Sequence, residues 1–109
     1  MARGGGSIVN VGAGAAAKAG AGMGAYAASK SGVARLTEAL AEELKDRAIT
    51  VNAVLPSIID TPTNRADMPD ADTATWVKPA AVAEVILFLA SPAARSISGA
   101  LIPISRGGD

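Results

Sequence analysis

A chain of 109 residues, half of them apolar, with ten basic and ten acidic side chains and neither cysteine nor histidine, has the size of one small domain. That composition excludes disulfides, thiolate or imidazole metal sites and every nucleophile activated by histidine. No basic block steers it to nucleic acid or an anionic membrane, and the longest apolar run, residues 85–90, falls far short of the ~20 residues of a bilayer span. The chain opens Met-Ala-Arg-Gly-Gly-Gly without the apolar core of a secretory signal, so a cytoplasmic protein is expected. Acid–base work falls to Tyr, Lys, Asp or Glu.

Residues 7–11 are a short apolar, β-branched run bounded by glycines and read as a buried strand. Gly12, Gly14, Gly20, Gly22 and Gly24 follow; each costs a helix interior about 1 kcal/mol relative to Ala, so this stretch is a loop. Residues 25–47 contain no Pro and only Gly32, and are rich in Ala, Leu, Glu, Lys and Arg, which predicts a long helix. Ile49, Val51, Ala53 and Leu55 alternate with Thr50, Asn52 and Val54 before Pro56, a second strand. Residues 57–76 hold Pro62, Pro69, Asp60, Asp67, Asp70 and Asp72 and read as a long mobile loop, a kind usually functional or disordered. Lys78-Pro79 opens a second helix through Ala90, stopped by Ser91-Pro92. Residues 100–104 are a third strand, and the order implies a parallel α/β sheet covered by helices.

Asn10-Val11-Gly12-Ala13-Gly14-Ala15-Ala16-Ala17 matches G-x-G-x-x-A after a strand. A dinucleotide fingerprint of that kind needs a helix directly after the glycines and an acidic residue about 20 positions on. Here more glycines follow, the positions at that distance are Ala34 and Arg35, and Gly20 to Ala25 matches the same pattern. A loop beside a site is the better reading.

Tyr26 and Lys30 lie one helical turn apart and share a face with Val33, Leu40 and Leu44, the expected core stripe. A lysine there breaks the amphipathic pattern. Desolvation and the positive end of the helix dipole favour a neutral amine, and the dipole favours a phenolate, which makes the pair a candidate acid–base couple. The plainer alternative is a lysine that snorkels to solvent and a tyrosine that packs. Both positions follow a strand, at the carboxyl ends of the sheet, where open α/β folds place ligands.

At these residues the chain resembles the short-chain dehydrogenase/reductase family: Tyr26-Ala27-Ala28-Ser29-Lys30 is similar to its YxASK signature. Residues 6–11 resemble the strand before its catalytic serine, residues 49–56 its I-x-V-N-x-V-x-P-G strand, residues 79–91 its P-x-x-V-A-x-x-x-x-F-L-x-S helix, and residues 98–104 its final strand. The resemblance covers nearly the whole chain. It implies a Rossmann-like α/β domain, truncated to the family's C-terminal half across residues 1–109, with three parallel strands and two main helices. Tyr26 would exchange a proton with a carbonyl or alcohol, and Lys30 would lower the phenol's pKa and bind the ribose of NAD or NADP. Thr61 matches a threonine that contacts the cofactor carboxamide, Ile58 a position beside the nicotinamide, and residues 62–76 a variable substrate lid.

Three departures accompany the likeness. Ala13 stands where the family's substrate-binding serine is expected, as in the dihydropteridine reductase branch, and Ser57 replaces the glycine after Pro56. The chain begins where the fifth strand of the family's sheet begins, so the glycine fingerprint, the ribose-binding acid and the catalytic-asparagine helix are expected to be missing. An unpaired first strand invites self-association, and a homo-oligomer with a small-molecule substrate is expected. Two other functions compete. One is a small-ester hydrolase in which Lys30 activates Ser29, Ser31 or Tyr26, although neither G-x-S-x-G nor S-x-x-K occurs. The other is a non-catalytic oligomerising fragment. Asp67, Asp70 and Asp72 lack the glycine and bidentate glutamate of a calcium loop, and no metal is expected.

Overall fold

The computed structural model describes residues 5–12 and 24–106, with the side chains of residues 24–30 outside that description. Strand β1 (Gly6–Val11) is followed by helix α1 (Gly24–Leu44), strand β2 (Ile49–Pro56), helix α2 (Pro62–Asp67), helix α3 (Pro79–Leu89) and strand β3 (Leu101–Ile104). The strands form one parallel sheet in the order β1-β2-β3, so the expected α/β architecture is present. Gly6 pairs with Ile49 and Val11 with Val54, while Ala53 pairs with Leu101 and Pro56 with Ile104.

Central strand β2 is buried from Val51 to Pro56, because helices cover both faces of a parallel sheet. Val54 and its partner Ile102 face α3, where they pack with Val77, Val82 and Leu89. The opposite face meets α1 at Asn10, whose Nδ2 donates to Thr37 Oγ1 at 3.0 Å, while that hydroxyl donates to the Val33 carbonyl at 2.8 Å. Among the described residues no helix is long and apolar enough to cross a membrane.

Two expectations are corrected. The buried line of α1 is Ala34, Thr37 and Ala41, whereas Val33, Leu40 and Leu44 are half-buried and Leu36 is exposed. Small side chains let the helix backbone approach the sheet, and the larger ones wedge beside that line of contact. The stretch 57–76 is likewise not a structureless loop. Thr61 Oγ1 accepts from Asn64 N at 3.1 Å and Pro62 stands in the first turn, so Thr-Pro starts α2 as an N-cap followed by a proline in its tolerated place. A 3-10 turn at Thr73–Thr75 and buried Trp76 return the chain to the sheet.

Asn52 is fully buried and bonded at both ends of its amide: Nδ2 donates to the Ile97 carbonyl and Oδ1 accepts from Ala100 N, each at 3.0 Å. Between those partners, Gly99 has φ +77°, a left-handed conformation that glycine adopts without steric cost. These bonds seat β3 against β2.

Candidate functional site

Thr37 meets Asn10, which sets the height of α1 against the sheet. The helix ends near the strand starts, where Gly6 N donates to the Ala48 carbonyl at 3.2 Å, so it runs opposite to the strands. From Thr37 back to Lys30 is seven helical residues, about 10 Å, and about three strand residues cover the same height. Starting from Asn10 and its partner Ala53, that step passes Gly12 and reaches Pro56. Backbone position 30 therefore lies level with the carboxyl ends of β1 and β2, and position 26 lies one turn farther out along α1. The side chains of Tyr26, Lys30 and Ser29 and all of Ala13, Gly14, Gly22 and Met23 lie outside the described residues.

The rim at this end is well defined. Gly12 N donates to the Val54 carbonyl at 2.8 Å, and Ser57 N donates to the Ile104 carbonyl at 2.9 Å. A Cβ on Gly12 would stand 2.7 Å from Leu55 Cδ2, so a side chain there would have to displace the leucine. Val77 N donates to the Ile58 carbonyl at 2.8 Å and Asp60 N to the Val77 carbonyl at 2.7 Å, which fixes the backbone of the segment leaving β2. The Ile58 side chain remains 39% exposed, an apolar surface on a held backbone.

Thr61 follows three residues later. Its Oγ1 is an acceptor within the helix cap, which leaves its proton to donate outward. Asn64 Nδ2 donates to the Ile59 carbonyl at 2.8 Å, and Arg65 grips Asp60 with both arms, Nε to Oδ1 at 2.6 Å and Nη2 to Oδ2 at 2.9 Å. The Arg65 hydrogen bond, reinforced by its charge and that of Lys78, holds the Asp60 carboxyl below the usual range, and the same bond raises Arg65. A depressed carboxylate contributes while it is ionised, so this grip persists at neutral pH and is lost only as pH falls through the depressed value.

Asn64, Asp60 and Arg65 were not singled out as site residues from the sequence. Their available signal is the Thr-Pro helix start flanked by Asp60 and Arg65, five residues apart. Thr61→Val should remove the cap and open α2 locally by about 1 kcal/mol, whereas Thr61→Ser should keep it. Amide exchange at Asn64 reads the difference.

Among the described residues no three Asp, Glu, His or Cys gather as a metal site. A recess of about 620 Å³ opens at the opposite ends of the strands, beside Ser7, Thr50, Ser91 and Arg95. Of the predicted site residues whose side chains are described, neither Ile58 nor Thr61 lines it.

Known proteins supply independent context. The family model described as enoyl-(acyl carrier protein) reductase matches residues 1–108. The chain is 39% identical over 111 residues to a 3-oxoacyl-(acyl-carrier-protein) reductase of Pseudomonas aeruginosa, covering 94% of this chain and 44% of that protein. Its fold superposes with a TM-score of 0.86 on a short-chain type dehydrogenase/reductase from Mycobacterium ulcerans, at 31% identity and with coverage of 99% and 45%. Two other solved relatives carry nicotinamide cofactors. A blue fluorescent protein from a metagenomic library is in complex with NADPH (TM-score 0.80, 35% identity, coverage 94% and 44%), and carveol dehydrogenase from Mycobacterium avium is in complex with NAD (0.82, 32%, 98% and 47%). The chain spans about half the length of the relatives it matches. By sequence and by fold it belongs to the short-chain dehydrogenase/reductase family.

Proposed function

We propose that this chain carries the nicotinamide-side half of an oxidoreductase site acting on a carbonyl or alcohol, with Tyr26 and Lys30 as its acid–base pair. What supports the reading most is the position of Y-x-x-x-K in the first turns of α1, at the carboxyl-end side of the strands. The residues present fit the nicotinamide end of NAD or NADP: Ile58 offers an exposed apolar surface and Thr61 a free hydroxyl proton. A bound cofactor of this class supplies or accepts a hydride. The Tyr26 hydroxyl donates a proton to the substrate oxygen in reduction and takes one back in oxidation; for the second direction Lys30 acts as an ammonium, in place of the neutral amine that burial alone favours, and its charge stabilises the phenolate.

The purified chain, given NADH or NADPH and a panel of ketones, should oxidise the cofactor; unchanged absorbance with every ketone would contradict the reading. The relatives reported above are reductases and dehydrogenases or share their fold, which gives the ester-hydrolase alternative no support.

The proposal extends to self-association. Among the described residues β1 is a sheet edge with Ile8 and Val11 exposed, and α3 exposes Leu87 and Phe88; uncovered apolar edges of this kind pair with other chains. Light scattering should give a homo-oligomer at micromolar concentration, and a stable monomer would contradict this.

A further inference from the structure

We infer that the Asp60–Arg65 pair is a clasp that positions the segment from Ile58 to Thr61, and with it the two residues assigned to the cofactor; the consequence for binding rests on the function proposed above. A helix as short as α2 (six residues) does not hold itself together in water. Its first turn is instead tied to the strand end by three side chains: Thr61 caps it, Asn64 reaches back to the Ile59 carbonyl, and Arg65 closes on Asp60 through two parallel hydrogen bonds. Asp60 itself is anchored by its backbone N–H on the carbonyl of Val77, a fully buried core residue. The guanidinium thus links an anchored residue before Thr61 to the helix after it, and the planar fork fixes orientation as well as distance. Arg65 touches neither substrate nor cofactor in this account. It is a positioning residue that acts through Thr61 and Ile58.

Exposed ion pairs are weak, so the effect of removing the clasp is local and modest. Arg65→Ala should speed amide exchange at Asn64, Arg65 and Met68 about two- to fivefold in the cofactor-free chain, with exchange in α3 unchanged. Arg65→Lys, which keeps the charge but not the fork, should fall between the two. The same variants should weaken NADH or NADPH uptake by a similar factor. Unchanged exchange in Arg65→Ala would overturn the clasp, and faster exchange with unchanged cofactor affinity would overturn its positioning role. If the unsubstituted chain takes up no nicotinamide cofactor, the proposed function fails, and the exchange experiment alone still decides whether the clasp holds the segment.

Discussion

Tyr26→Phe should lower turnover of a carbonyl substrate by about 10²- to 10⁴-fold, the range over which a positioned proton donor acts. The substitution removes one oxygen atom and retains the ring, so the thermal unfolding midpoint should stay close to that of the unsubstituted chain. Cofactor affinity should change little, because in this account Lys30, Ile58 and Thr61 hold the nicotinamide end and the phenol acts on the substrate. A variant that retains its turnover would remove Tyr26 from the chemistry. A variant that loses turnover only because it unfolds would show the same loss in its unfolding midpoint, and the two measurements together separate chemistry from stability.

The second large effect falls far from that residue. Asn52→Leu should destabilise the fold by about 2–4 kcal/mol, because it strands a part-buried carbonyl and a part-buried N–H, each costing about 1–2 kcal/mol unpaired, the lower part of the range for buried groups. The groups in question are the Ile97 carbonyl and Ala100 N, and their loss should loosen β3 from β2. Urea unfolding reads this directly as a lower midpoint. A midpoint within error of the unsubstituted chain would mean that water or a shifted backbone satisfies both groups. Thr50→Ala, which removes only the 3.2 Å hydrogen bond to the half-buried Ser7 hydroxyl, is the fitting control and should cost much less.

Asn52 also shows what the sequence could and could not convey. Strand β2 is legible as an alternating run, but alternation suggests one wet face, whereas both faces are buried. Asn52 is tolerated there because its partners lie 45 and 48 residues away, and no local pattern encodes that meeting. Helix α1 gave the reverse result. Its length followed from composition, yet its buried line runs through Ala34, Thr37 and Ala41 because closeness to the sheet outweighed side-chain hydrophobicity. In residues 57–76 the prolines and the polar composition suggest a long loop, although Thr61-Pro62 is a helix start. The family was readable in Tyr26 to Lys30 and in the flanking strand motifs, whereas the clasp from Asp60 to Arg65 emerged only with the fold.

Charge gives the clasp a direction in pH. Asp60 is held below its usual range by Arg65, so the tie to α2 remains closed across neutral and mildly acidic solution. Acid strong enough to protonate Asp60 should open this segment before the sheet, whose core from Val51 to Leu55 carries no ionisable side chain.

The most direct test of the central claim is a calorimetric titration of the purified chain with NADH and with NADPH, repeated with Lys30→Ala. The account predicts saturable uptake of at least one of the two, weakened by the substitution. Absence of heat with both cofactors at millimolar concentration would contradict it and leave Tyr26 and Lys30 without the chemistry assigned to them.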